Sequence, residues 1–323
     1  MTVTLAKALN EGLRAALRQD DKVLLIGEDI GRLGGVFRVT DGLHKEFGDL
    51  RVVNSPLGEA GIVGTAIGLA MRGYRPVCEI QFDGFVFPGV NQIITQLARY
   101  RNRSEGAIAM PVVVRIPYGG GIGAIEHHSE SPEAYFAHTP GLKVVTCATP
   151  QDGHTMIQQA IASDDPVIFL EPKRRYWDKG ELDPTTDGIP LHTARVLRTG
   201  TDLTLLVYGP MVKTALECAA VAAEEGRSIE VIDLRSLAPI DLPTVCASVR
   251  RTGRLIVAHE ASLSHGLGAE IAARVQDEAF YALEAPVIRV AGYDTPYPPS
   301  RLEEHWLPGL ERILDAVDRS LSH

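Results

Sequence analysis

Cysteine is scarce and scattered. Cys78, Cys147, Cys218 and Cys246 form no Cys-x-x-Cys pair, so the chain offers neither the ligand spacing of a zinc site nor the framework of a disulfide-stapled fold. A reducing, cytoplasmic setting is the expectation. Positive charge is also short: 32 Lys and Arg stand against 41 Asp and Glu, a net charge of −9, and the only dense basic run is Lys173-Arg174-Arg175. That balance argues against a nucleic-acid surface. No stretch of about 18 apolar residues occurs, so no membrane span is expected. Met1 to Leu9 runs straight into an amphipathic pattern, without the charged start, apolar core and cleavage site of a secretory leader. Low-complexity tracts and short repeats are missing too.

What is present is regular alternation. At 323 residues the length suits two domains. A helix over 4–18, with Leu5, Ala8, Leu9, Leu13, Ala16 and Leu17 on one side, precedes the buried-strand run Val23-Leu24-Leu25-Ile26. Strands are expected at 75–81, 111–117, 143–147 and 166–170, and helices at 59–72, 89–102 and 150–163. The last helix has Thr149 as cap and Pro150 at its first position. A linker over 176–200 follows, rich in charge, proline and glycine. A second series reads as strands at 203–208, 229–233, 255–259 and 287–290, with helices at 210–225, 241–251, 266–279 and 308–321. The fold class is therefore α/β, with two doubly wound domains at 1–175 and 201–323. Ligands in such sheets bind beyond the strand C-termini, where Glu28, Gln81 and Tyr118 fall.

Three signals have modest readings. Gly119-Gly120-Gly121-Ile122-Gly123 follows a strand but lacks the full Gly-x-Gly-x-x-Gly spacing, so a loop approaching a ligand is favoured over a nicotinamide site. His259-Glu260 with His265 lacks the helical spacing of a metal site. Gly61, Gly64 and Gly68 share a helix face and suit close approach by another helix, in the core or at a subunit contact. The loop carrying His127-His128-Ser129 stands out more, because paired histidines beside a glycine run at a strand end suit a substrate role.

The stretch with the most chemistry is Ser55-Pro56-Leu57-Gly58-Glu59-Ala60-Gly61. It sets one acid among apolar and glycine neighbours at a helix start, an environment expected to disfavour ionisation. A carboxyl group so placed can exchange a proton with a heterocyclic nitrogen; as the plain alternative, it serves the helix dipole.

Taken in order, Gly27-Glu28-Asp29-Ile30-Gly31, Ser55-Pro56-Leu57-Gly58-Glu59, Gln81-Phe82-Asp83-Gly84-Phe85, His128-Ser129-Glu130-Ser131 and Glu171-Pro172-Lys173-Arg174 resemble one family. So do Asp233-Leu234-Arg235-Ser236-Leu237, Ala258-His259-Glu260 and Gly268-Ala269-Glu270-Ile271. The family is the β subunit of the thiamine diphosphate-dependent decarboxylase component of 2-oxo acid dehydrogenase complexes, and the resemblance spans residues 3 to 318. It implies a transketolase-like pyrimidine-binding domain, a transketolase C-terminal domain, and a heterotetramer of two α and two β subunits that serves a lipoyl-bearing acyltransferase core.

By that resemblance Glu59 bonds the aminopyrimidine ring nitrogen, Phe85 stacks on the ring, and Leu57 and Gln81 line the pocket beside Glu28. His128 handles substrate and acyl transfer to lipoamide. Val112, Ala160, Ser163 and Asp165 match a structural monovalent-cation site, a place for K+. Gly-Asp-Gly, which holds Mg2+ and the cofactor diphosphate in this family, does not occur here, so Mg2+ is expected on the α subunit. Bacterial branched-chain members resemble the chain most, with pyruvate and acetoin enzymes next. A catalytically silent binding or regulatory module is the alternative of another class.

Overall fold

The computed structural model describes residues 1–323. Its first half contains β1 (Thr2–Thr4), α1 (Leu5–Gln19), β2 (Val23–Gly27), α2 (Leu43–Phe47), β3 (Val52–Asn54), α3 (Glu59–Met71) and β4 (Arg75–Glu79). After β4 come α4 (Ala98–Arg103), β5 (Val113–Tyr118), α5 (Glu133–Ala137), β6 (Lys143–Thr146), α6 (Pro150–Ala162) and β7 (Val167–Pro172). Two strands, β8 (Lys179–Glu181) and β9 (Arg195–Arg198), lie where a linker is expected. The second half has β10 (Leu203–Val207), α7 (Met211–Glu224), β11 (Ile229–Asp233), β12 (Ser236–Ala238), α8 (Leu242–Thr252) and β13 (Leu255–Ser262). It closes with α9 (Leu267–Ala279), β14 (Ile288–Gly292), α10 (Glu303–Trp306) and α11 (Leu310–Leu321).

Two sheets organise these elements. The larger runs β12-β6-β7-β5-β4-β2-β3, parallel except for β12, and the smaller runs β14-β13-β10-β11-β9, parallel except for β9. Strands β2, β5 and β7 are buried throughout, as apolar runs covered by helices on both sheet faces must be. Helix α1 starts on Thr4, whose hydroxyl accepts from the Lys7 amide, and buries Leu5, Leu9, Leu13 and Leu17. It crosses α6 closely: a Cβ on Gly12 would lie 2.5 Å from Ile157 Cγ2, and one on Gly153 would lie 2.6 Å from Leu5 Cδ1. The two glycines set that separation.

Three expectations change. Residues 176–200 are not a bare linker: β8 pairs with β1, and β9 forms the edge of the second sheet. The single helix expected over 89–102 is broken into a 3₁₀ segment (Asp83–Gly89), a π-helix (Gln92–Leu97) and α4; Pro88 removes a donor at the start of that region. Finally β12, encoded in the second half, completes the first sheet against β6.

Candidate active site

Four parallel strand ends supply the cleft. Glu28 and Asp29 follow β2, Glu59 follows β3 at the first turn of α3, Gln81 follows β4, and the glycine run follows β5. Glu59 is buried at 8% exposure, and its carboxyl group takes part in no side-chain hydrogen bond or ion pair within the chain. Its backbone is covered by Gly89, where a Cβ would lie 3.3 Å from the Glu59 carbonyl oxygen. Glu28 stands beside it and accepts from the Gly58 amide at 2.9 Å. Burial raises the Glu28 carboxyl above its ordinary range, the Gly58 hydrogen bond opposes this, and the charges of Glu59 and Asp29 add to it. Gln81 donates to Asp29 Oδ2 at 3.0 Å, and Asp29 is held at a φ of 59°.

Aromatic rings gather on the 3₁₀ segment that ends at Gly89. His128 lies against Phe82 with ring centroids 4.0 Å apart, and Phe85 meets His128 edge-on at 5.1 Å. Burial, then the neighbouring His127, lowers the His128 pKa and so favours the neutral ring. Its Nδ1 is buried without a partner, as are Ser55 Oγ, Gln92 Oε1 and Ser129 Oγ. Leu57 lies at the rim and is 87% exposed. Glu28, Glu59, Gln81 and His128 thus fall beyond the C-terminal ends of β2, β3, β4 and β5.

The quoted motifs separate into distinct tasks. In Phe82-Asp83-Gly84-Phe85 the flanking aromatics face His128, and Gly84 admits the His127 backbone, whose oxygen would be 2.3 Å from any added Cβ. Asp83 forms a fully buried ion pair with Lys173 and accepts from the Glu130 amide at 2.8 Å. Burial draws both partners toward their neutral forms, Asp83 up to about 6 and Lys173 down, while their mutual attraction opposes it. In Glu171-Pro172-Lys173-Arg174, Glu171 binds Arg115 at 2.6 Å, Lys173 binds Asp83, and Arg174 binds Glu260 at 2.5 Å. Asp83, Lys173 and Glu260 had no assigned roles in the sequence reading; an acid followed 90 residues later by a buried lysine leaves no local pattern.

His259 is structural. Its Nδ1 faces the Ala261 carbonyl, its Nε2 accepts from the Gly268 amide, and burial lowers its pKa to about 4. Ala160, Ser163 and Asp165 lie at the end of α6 and in the turn after it, and Val112 precedes β5, which pairs with the β7 strand that follows that turn. There Arg75 donates to the Ser163 carbonyl at 3.0 Å, Val112 oxygen accepts from Val167, and Arg101 pairs with Asp165 at 2.5 Å. Arg75 and Arg101 thus bring positive charge to the turn where the resemblance places K+. No three His, Cys, Asp or Glu side chains converge as a metal-holding group.

A transketolase-type scaffold is what this pair of sheets and the cleft between strand ends define. The pyrimidine-binding domain of transketolase matches residues 1–178 and the transketolase C-terminal domain matches residues 192–313. A solved split-gene transketolase, described as an inactive β4 tetramer, shares the fold with a TM-score of 0.83 at 23% identity, covering 99% of this chain and 98% of that one. Closer in sequence is the pyruvate dehydrogenase E1 component subunit beta of Leifsonia xyli, 63% identical over 100% of this chain and 96% of its own. The 3-methyl-2-oxobutanoate dehydrogenase subunit beta of Mycobacterium tuberculosis is 53% identical over 99% and 92%, and the 2-oxoisovalerate dehydrogenase subunit beta of Pseudomonas aeruginosa is 44% identical over 98% and 95%. The chain belongs to the β subunits of the E1 component of 2-oxo acid dehydrogenases.

Proposed function

We propose that this chain, joined to an α subunit in a heterotetramer, decarboxylates a branched-chain 2-oxo acid with thiamine diphosphate and passes the acyl group to a lipoyl-bearing acyltransferase. The observations that carry the reading are the buried Glu59 carboxyl, without a side-chain partner, and the unpartnered Nδ1 of His128, whose ring packs on Phe82 and Phe85. That donor set fits the aminopyrimidine half of the cofactor. Nothing in it fits the diphosphate and Mg2+, which the reading assigns to the α subunit.

Thiamine diphosphate, when bound, supplies the carbon nucleophile and the electron sink. The residues of this chain prepare its surroundings. Glu59 holds or yields a proton at a ring nitrogen, and burial strengthens that interaction by excluding water. Glu28 keeps the Gly58 amide, and so the entry to α3, in place. Phe85 offers a flat apolar face, and Gln81, turned by Asp29, presents its carbonyl oxygen to a donor. Neutral His128 can accept a proton from an incoming thiol or hydroxyl. The apolar wall of Phe82 and Phe85 favours a branched alkyl chain; pyruvate is the second reading, favoured by the 63% identity to a pyruvate dehydrogenase β subunit.

The test is co-expression with the α partner, then turnover of 3-methyl-2-oxobutanoate and of pyruvate with thiamine diphosphate and Mg2+, for wild type and Glu59→Gln. Faster turnover of the branched acid, with Glu59→Gln assembled but inactive by a factor of at least about a hundred, is the expected result. Preference for pyruvate overturns the substrate, and normal turnover by Glu59→Gln removes its proton role. An assembled complex inert to both acids would favour a silent module.

A further inference from the structure

Carboxylates of the C-terminal domain take the amides of the glycine run. Gly120 N donates to Glu260 Oε2 at 2.9 Å, Gly121 N to Glu303 Oε1 at 2.9 Å, and Gly123 N to Glu303 Oε2 at 3.0 Å. These contacts join residues 140 to 182 positions apart. The acceptor side chains are buried, Glu260, Tyr297 and Glu303 being 2%, 6% and 7% exposed; the Gly120–Glu260 bond is buried throughout and the two Glu303 bonds are part-buried, which strengthens the first most. The Tyr297 hydroxyl donates to Glu303 Oε1 at 2.6 Å. Burial and the adjacent carboxylate push that phenol well above its ordinary range, which keeps it a donor.

The glycines are there because the C-terminal domain comes this close. A Cβ on Gly120 would lie 2.0 Å from the Tyr297 hydroxyl, and Gly119, Gly121 and Gly123 have φ of 84°, 84° and 70°. From this anchor the chain continues through Ile125 to the turn bearing His128, and is caught again where Asp83 accepts from the Glu130 amide. His128 is thus suspended between a tether inside its own domain and a clasp from the other.

We propose that Glu303, oriented by Tyr297, is a positioning residue for His128: by binding two amides of the glycine run it holds the loop in the conformation that sets the imidazole against Phe82 and Phe85. The consequence for the reaction rests on the acyl-transfer role given to His128 above. Glu303 touches no reacting atom. Replacing it with glutamine keeps the size but turns an N–H donor toward an amide that also donates, which breaks one charge-assisted bond and opposes another.

The experiment uses the complex assembled with the α subunit, in wild-type, Glu303→Gln, Tyr297→Phe and His128→Ala forms, with Arg319→Ala as a remote surface control. Hydrogen exchange over residues 119–131 reports the loop directly, and residues 59–72 serve as the internal reference. Acylation of a lipoyl domain is measured beside decarboxylation coupled to an artificial dye acceptor. Glu303→Gln should exchange about tenfold faster over 119–131 only, and lose about tenfold more acylation than dye-coupled turnover. Tyr297→Phe should move both readouts the same way by less, and it keeps the test open if Glu303→Gln folds poorly. Unchanged loop exchange overturns the proposal, and so does faster exchange with equal losses in both activities. If His128→Ala acylates normally, the role given to His128 is at fault, and the exchange data alone decide the clasp.

Discussion

Asp233 is the residue whose ionisation the fold opposes most legibly. It ends β11, is fully buried, accepts from the Arg235 amide through Oδ1 at 3.1 Å, and leaves Oδ2 without a partner. Burial first, then the charge of Asp152, raises its pKa to about 8, against the pull of Arg235. The folded protein therefore binds this proton more tightly than the unfolded chain. Between about pH 4 and pH 8 the group contributes stability at the acid end and loses it as pH rises through its folded pKa. Asp233→Asn keeps the Oδ1 acceptor and cannot ionise, so it should flatten that decline and melt higher than wild type at pH 8.5. Thermal melts of both forms at pH 5.5 and 8.5 check this; parallel pH profiles would show that Asp233 does not carry the effect. At this scale the sequence pointed to Glu59, Phe85 and His128 through their neighbours in the chain. It was silent on Asp83, Lys173, Glu260 and Glu303, because their partners are set by topology.

Among elements, legibility followed length and apolar continuity. The five- and six-residue buried strands β2, β5, β7, β10 and β11 were readable as runs, whereas β1, β3, β8 and β12 have three residues each and no period to detect. The π-helix at Gln92–Leu97 escaped because its apolar spacing passes for an ordinary helix. Helix α3 behaves differently from its neighbours. It buries Ile62, Val63, Ala66 and Ile67, yet Gly61 and Gly68 meet nothing within 4 Å and Gly64 meets only Gln92 Cγ at 4.0 Å. The close helix approach expected of these glycines is absent inside the chain, and the other expectation for them is a subunit contact. Gly64→Leu should then leave the melting temperature of the isolated chain within a few degrees, since helix propensity improves by a few tenths to about 1 kcal/mol, and should weaken assembly with the α subunit at least tenfold. Melting curves and sedimentation of the mixed subunits read the two effects, and normal assembly would place the partner elsewhere.

For the whole molecule, the proposed division of labour makes a prediction of its own. This chain carries Glu28, Glu59, Gln81, Phe85 and His128, and no cluster suited to a divalent ion accompanies them. Calorimetric titration of Mg2+ into the isolated chain should give no saturable binding in the micromolar range, and Mg2+ should tighten thiamine diphosphate binding only after the α subunit is added. A tight Mg2+ site on the isolated chain would contradict the assignment. The crossing of β12 into the first sheet bears on how such proteins can be recombined. A chimera joined between residues 182 and 194, to borrow the C-terminal domain of a relative with another partner preference, would import the strand that closes the recipient's own β6 edge. A truncation at the same place would leave that edge bare beside Val144 and Val145, a template for pairing with other chains. The boundary visible along the sequence is therefore not a seam along which the molecule can be cut.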